Sequence, residues 1–226
     1  MNMRRFEEIL ETRLHEIDGV SLWRWPKIDH GAWDGPWTDW VHSHKAKYLE
    51  HVKKFDVVVQ AGGNCGMYPR LFSQYFKWVY TFEPDPLNFY ALNVNCQDDR
   101  IVKIQAALGD SHKMVTVNRL TMKNVGMHRV SEVEGATIPQ LMIDDFDLPA
   151  CDLIQLDIEL YEIHALRGAV NTIKKFKPVI AVENNNADIV IFLTDLGYEI
   201  ASTSKMDTIF IPRAETNDDT TVPSAT

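Results

Sequence analysis

The stretch Phe55-Asp56-Val57-Val58-Val59-Gln60-Ala61-Gly62-Gly63-Asn64-Cys65-Gly66 decides the fold. A short β-branched run breaks off into glycines, which reads as a buried strand ending in a tight turn. The same event recurs along the chain. Trp78 to Phe82 is a second apolar run, closed by Glu83-Pro84-Asp85-Pro86. Ile101 to Leu108 is a third, Leu153 to Ile158 a fourth and Pro178 to Val182 a fifth. Helical spacing lies between several of them, with Ile163, Leu166, Val170 and Ile173 in one segment and Ile189, Phe192, Leu193 and Leu196 in another. Near-continuous apolar strands alternating with helices predict a parallel sheet covered on both faces.

Two places depart from the alternation. Met114–Val117 and Val125–Val130, with a polar turn near Asn124, predict an inserted β-hairpin. Tyr198–Ala201 and Thr208–Ile211 are joined by only Ser202–Asp207, too short for a parallel crossover, so the last strand is expected to run antiparallel. The expected architecture is α/β: a doubly wound, mostly parallel seven-stranded sheet with a reversed final strand and an inserted hairpin.

The N-terminal region reads differently. Phe6, Ile9, Leu10 and Leu14 predict a helix over residues 3–16. Between Leu22 and Trp40 lie five of the six tryptophans, Trp23, Trp25, Trp33, Trp37 and Trp40, interrupted by Pro26, Gly31, Gly35 and Pro36. So many indoles need something to pack on. We therefore expect residues 1–44 to form a helix and an aromatic cover, residues 45–212 the main domain, and residues 213–226 a mobile acidic tail.

Composition bounds the function. The 226 residues carry 23 Lys+Arg against 32 Asp+Glu, a formal charge of −9. With no basic patch, that balance argues against a nucleic-acid partner. Three cysteines, Cys65, Cys96 and Cys151, form no CxxC pair, which points to a reducing compartment and away from zinc. No apolar run approaches the roughly 20 residues of a membrane span, and the charged N-terminus lacks a signal-peptide core. A soluble, cytoplasmic protein is the expectation.

The chemistry gathers at the predicted strand tips. Glycines there let a ligand approach the backbone. Glu83 lies 20 residues beyond Gly63, where nucleoside-binding folds place an acid on the ribose hydroxyls. Asp85 and Pro86 also read as a helix N-cap and first turn. A nicotinamide site would require Gly-x-Gly-x-x-Gly, whereas the chain has Gly62-x-Asn64-x-Gly66. A nicotinamide oxidoreductase and a non-catalytic binding module therefore stand as alternatives behind a different nucleoside cofactor.

These motifs resemble those of the FkbM-type methyltransferase family, within the class I, Rossmann-like, S-adenosylmethionine-dependent enzymes. The resemblance is carried by Gly62–Gly66, Phe82–Pro86 with Asn88 and Asn95, and Ala107–Asp110. It continues through Leu156–Glu159 with Glu162, Leu166, Gly168 and Ala169, then Pro178 and Glu183, and it covers roughly residues 55–212. It implies methyl transfer from S-adenosylmethionine to oxygen, on a sugar or glycan hydroxyl. By the same likeness Gln60, Gly62, Gly63 and Asn64 lie at the methionine end, and Glu83 on the ribose. Pro84, Asp85, Gln105, Ala106 and Ala107 border the sugar and the adenine, and Asp157 faces the amine and the methyl group. The chain departs from the family pattern at Gln60, where an acid is usual, at Gln155, where a lysine is common, and at Leu160, where a glycine is usual.

Transfer to an alcohol requires a base within hydrogen-bond reach. Asp157 and Glu159 are the leading candidates, and Asp157 is expected to be ionised beside a sulfonium. His128, on the inserted hairpin, overhangs the expected acceptor side. Trp37, Asp39 and Trp40 of the aromatic cover and Asn184 at the fifth strand tip are further candidate acceptor contacts. As candidate bases, His42, His44, His128 and His164 all rank below the two acids. The run Asp144-Asp145-Phe146-Asp147 reads as a turn or helix start, not a metal site.

Overall fold

A computed structural model describes residues 7–17, 20–30, 46–121, 123–132, 137–183, 186–205 and 207–214. Side chains of residues 14–17, 20 and 21 are outside the description, as are Trp33, Trp37, Asp39, Trp40, His42, His44 and Asn184. The last seven include four of the expected acceptor contacts.

Seven strands form one mixed sheet: β3 (Val57–Ala61), β4 (Trp78–Phe82), β5 (Ile101–Ile104), β10 (Leu153–Leu156), β11 (Val179–Glu183), β12 (Tyr198–Thr203) and β13 (Asp207–Pro212). Their order is β12-β13-β11-β10-β3-β4-β5. The pairs β11/β10, β10/β3, β3/β4 and β4/β5 are parallel, whereas β13 runs antiparallel to both β11 and β12. The reversed strand follows from the short link before it, as expected from the sequence.

Strand alternation divides the core in two. Val58, Leu153, Ala181 and Ile209 enter a cluster with Leu71 and Phe72 of α1 (Met67–Phe72) and Ala91 and Leu92 of α2 (Pro86–Asn95). Their neighbours Val59, Ile154, Ile180, Val182 and Phe210 enter the other. There they meet Leu166 of α3 (Glu162–Arg167), Ile173 of α4 (Val170–Phe176) and Leu193 of α5 (Ala187–Asp195). Helices thus line each face of the sheet. Their starts follow local chemistry: Asp85 Oδ1 accepts from Leu87 N at 2.8 Å, and Asn186 Oδ1 accepts from Ile189 N at 3.1 Å. Asp144 sits in a 3-10 turn and accepts from Asn171 N and Thr172 N at the start of α4, so its acidic run is a cap.

A second, four-stranded sheet holds β6 (Ala107–Leu108), β9 (Ile138–Leu141), β7 (Lys113–Arg119) and β8 (His128–Ser131), in that order. β7 and β8 are the expected hairpin, antiparallel, with Asn124 Oδ1 accepting from Gly126 N in the turn between them. The third apolar run is not one strand. It splits at Gln105-Ala106, half joining each sheet. β9 was not foreseen.

The N-terminal expectation is corrected. Residues 10–17 are not helical but form β1 (Leu10–Ile17), antiparallel to β2 (Val20–Pro26). A short apolar pattern does not discriminate helix from strand, and tertiary packing decides it. Trp23 and Trp25 are fully buried beside α1 and α2. Asn95 of α2 grips β2 from outside, accepting from Arg24 N at 2.7 Å and donating to Arg24 O at 2.8 Å. Leu10 pairs with Pro26 and packs in the same core. All three cysteines are buried and free, and among the described residues no helix is long and apolar enough to cross a membrane.

Candidate active site

One end of the large sheet opens into a cavity of about 430 Å³, within the usual size of small-molecule sites. Its floor is the tips of β3, β4, β10 and β11; its roof is the loop and strand of the inserted hairpin.

The glycine turn is built by close approach. Gly62 and Gly63 N–H both point to Phe82 O, at 3.1 and 2.9 Å. Gly62 has φ +83°, and a Cβ on it would lie 1.9 Å from Asp157 O, so only glycine fits between these strand tips. Asn64 follows with φ 45°, a conformation its short polar side chain tolerates. Its backbone N–H donates to Glu83 Oε2 at 2.7 Å, and Asp85 N–H donates to Glu83 Oε1 at 2.8 Å. Each Glu83 oxygen keeps lone-pair capacity for a further donor. Burial pushes the Glu83 carboxyl up to about 8, against the pull of those two N–H groups.

Opposite Glu83 the wall is acidic. Asp157, Glu159 and Glu183 each bring one carboxylate oxygen within 4.8 Å of the others. Burial first, then repulsion and a shared hydrogen bond with Glu183, raise Asp157 well above the carboxylate range. Glu159 is raised by burial and by Glu183, against Arg129, whose Nη2 is 3.6 Å away. Burial and Glu183 therefore work against the Asp157 anion, and the positive charge invoked for it in the sequence reading would work in its favour. This cluster can receive an ammonium or sulfonium, and its spacing also suits a divalent cation.

The turn after β10 is strained. Glu159 and Leu160 both take positive φ, 56° and 76°, in a region that costs residues with a Cβ. Buried Glu162 braces it, Oε1 accepting from Ile158 N at 3.2 Å, and burial lifts its carboxyl to about 7.

The cavity brings together most of the residues expected there. Gly62, Asn64, Glu83, Pro84, Ala106, Ala107, His128, Asp157 and Glu159 line it. Gln60 does not. Its side chain is buried, donating to the carbonyls of Ala61 and Gly62 and accepting from Thr81 Oγ1 at 2.5 Å. Strand alternation turns it towards the α1/α2 side, where it holds the glycine turn from behind. Gly63 is closed in by Thr81, Glu83 and Leu92, and Gln105 is exposed outside the lining. Asp85 is a buried cap, bound to Arg119 through Nε at 2.7 Å and Nη2 at 3.0 Å. Burial opposes its charge, yet His128 and Arg119 hold it well below the ordinary carboxylate range. His164 pairs with Asp110 at 2.8 Å and stacks on Tyr161, away from the lining.

Sequence reasoning missed Glu183, Asn88 and Tyr161 as wall residues. Glu183 ends the fifth apolar strand, so the same strand-tip rule that selected Asp157 could have found it. Four atoms of the cavity lining are buried without a hydrogen-bond partner among the described residues: Asn64 Oδ1, Asn88 Oδ1 and the two ring nitrogens of His128, the kind of group a polar ligand satisfies. The roof is pinned from the N-terminal region: Asp29 accepts from Trp25 Nε1 at 2.5 Å and from Val125 N at 3.3 Å, and His30 N donates to Lys123 O at 2.8 Å.

Comparison with known proteins adds three findings. The family model described as the methyltransferase FkbM domain matches residues 56–200. The hexuronic acid methyltransferase AglP of Haloferax volcanii is 25% identical over 140 residues, covering 58% of this chain and 57% of the relative. The crystal structure of methyltransferase FkbM from Methylobacillus flagellatus KT is 18% identical, with a TM-score of 0.50 over 76% of this chain and 52% of that one. That structural likeness bears on the fold. The chain spans little more than half the length of both relatives.

Proposed function

Because the chain belongs to the FkbM methyltransferase domain family, we propose that it binds S-adenosylmethionine and methylates a sugar hydroxyl, with a hexuronic acid or a related glycoside as the acceptor class. The observation that carries this reading is one cavity joining the buried carboxylate of Glu83 to an acidic wall of Asp157, Glu159 and Glu183. A nucleoside carrying positive charge at one end needs both. The residues fit such a group. Glu83 would take the ribose hydroxyls, Ala106 and Ala107 offer an apolar edge for a base, and Gly62 with Asn64 would let the methionine backbone approach. Asp157 and Glu183 would receive its ammonium and sulfonium charge.

When bound, the cofactor supplies a methyl carbon already activated by positive sulfur. The protein has to align an acceptor oxygen at near-attack distance, exclude water and accept a proton. The hairpin roof supplies the exclusion. The acceptor class rests on the distant likeness to the Haloferax protein.

Calorimetry with S-adenosylhomocysteine and with NAD tests the cofactor. Binding of the first and not the second is expected, and the reverse overturns the reading. Labelled-methyl transfer to a panel of neutral glycosides and hexuronides then tests the acceptor, with the label expected as an acid-stable methyl ether on a hexuronide. Label recovered on nitrogen or carboxylate oxygen instead would overturn the hydroxyl assignment.

A further inference from the structure

The hairpin roof carries one ring that the reading above leaves unused. His128 opens β8 with a side chain only 4% exposed, and it lines the cavity. Its Nε2 is buried and meets no hydrogen-bond partner among the described residues. Its Nδ1 lies 3.0 Å from Asp85 Oδ2, within ion-pair reach though off the best hydrogen-bond line. Arg119 is the cross-strand partner of His128 in the β7/β8 register and grips the same carboxylate. The charged groups packed around the ring are therefore Asp85 from the start of α2 and Arg119 from β7, with Glu83 beyond Asp85.

We infer that His128 is the general base that takes the proton of the acceptor hydroxyl through Nε2, with Asp85 and Arg119 as its positioning residues. The inference rests on the O-methyl transfer proposed above. An ionised carboxylate facing Nδ1 holds the ring proton there, which leaves the Nε2 lone pair directed away from Asp85. The rival bases are less suited. Asp157 shares a hydrogen bond with Glu183 in the wall that would receive the cofactor's positive end, and Glu159 is drawn to Arg129. In the step itself the hydroxyl proton passes to Nε2 and gives an imidazolium beside the Asp85 carboxylate. The oxygen keeps the electron pair of its O–H bond and uses it for the new bond to the methyl carbon, whose bond to sulfur breaks and leaves its electron pair on the now neutral sulfur. The imidazolium then returns its proton to water.

Nitrogen-15 NMR of the histidine rings, assigned against His128→Gln, reads the first requirement in the free protein. In the neutral ring a protonated Nδ1 and a bare Nε2 are expected; a proton on Nε2 in the neutral ring overturns the assignment. A crystal structure with S-adenosylhomocysteine reads the second. Nε2 is expected free of both adenine and ribose, and a hydrogen bond to either makes His128 a cofactor contact and overturns the proposal. His128→Gln should lower methyl transfer about 10²- to 10⁴-fold while S-adenosylhomocysteine affinity stays unchanged. Unaltered transfer would also overturn it. Arg119→Gln should move the ascending limb of the kcat–pH profile to higher pH, because losing a neighbouring cation favours imidazolium; an unmoved limb removes Arg119 from the positioning role. If S-adenosylhomocysteine binds but Nε2 carries the proton, the methyltransferase reading stands and only the base falls. If it does not bind, both fall.

Discussion

Leu160 shows how a single residue can carry strain without a packing return. It sits at φ 76° and is 55% exposed. A left-handed conformation costs a side chain roughly 1–2 kcal/mol, whereas glycine occupies it freely at some cost in unfolded-state entropy. Leu160→Gly should therefore raise unfolding stability by about 0.5–1 kcal/mol, measured by urea denaturation. No gain, or a loss, would mean that packing of the Leu160 side chain offsets the strain. Glu83 gives the opposite case, a buried acid proposed above to take the ribose hydroxyls. Glu83→Gln keeps the shape but removes a charge-assisted acceptor, and should weaken S-adenosylhomocysteine binding by about 1.5–3 kcal/mol. Calorimetry showing equal affinity would detach Glu83 from the ribose.

At the scale of elements, the N-terminal hairpin is a brace for the roof. β2 is clamped to α2 through Asn95, and Asp29 just beyond it ties Trp25 to the loop at Val125. Asp29→Ala leaves the Trp25 indole N–H and the Val125 N–H without that acceptor. It should cost about 1–3 kcal/mol of stability and speed cofactor release, read by stopped-flow displacement. A faster release with unchanged stability would make the tie purely functional. This link was not legible in the sequence, because it joins residues 96 positions apart through a buried carboxylate. The hairpin itself was misread as a helix, since Phe6, Ile9, Leu10 and Leu14 satisfy a 3.6 period and only the pairing with β2 selects the strand. The central strands β3, β10 and β11 were legible because burial on both faces makes each an apolar run. Gly62, Glu83 and Asp157 were legible for a related reason: strand tips at one end of a parallel sheet must converge. Gln60 was misplaced towards the cavity because its direction depends on the pleat. Its neighbours across the sheet, Thr81 on β4 and Gln155 on β10, mark a buried polar row that only the register reveals.

For the whole molecule the decisive quantity is the number of acids held out of water around one cavity. Burial raises Glu83 to about 8 and Glu162 to about 7, and it also raises Asp157 and Glu159. A carboxyl whose folded pKa lies above its unfolded value binds its proton more tightly in the native state. The native state then holds more protons than the unfolded chain across the interval between the two values, and stability falls as pH rises through it. Each fully differing proton contributes a slope of about 1.4 kcal/mol per pH unit. The ligand-free protein should therefore lose stability steadily between the ordinary carboxylate range and about pH 8, against the common pattern of acid-labile carboxylates. A cation entering the acidic wall favours the ionised forms, and ribose donors favour ionised Glu83. Binding of S-adenosylmethionine should then release protons, strengthen as pH rises over the same window, and flatten the pH dependence of the melting temperature. Calorimetry in buffers of different ionisation enthalpy counts the protons, and thermal melts with and without ligand follow the stability. The neutral-sulfur product should release fewer protons than the sulfonium substrate if the wall senses that charge. Equal release by the two would confine the effect to Glu83 and the amine end, and a ligand-free stability that rises towards pH 8 would show that water reaches these carboxylates.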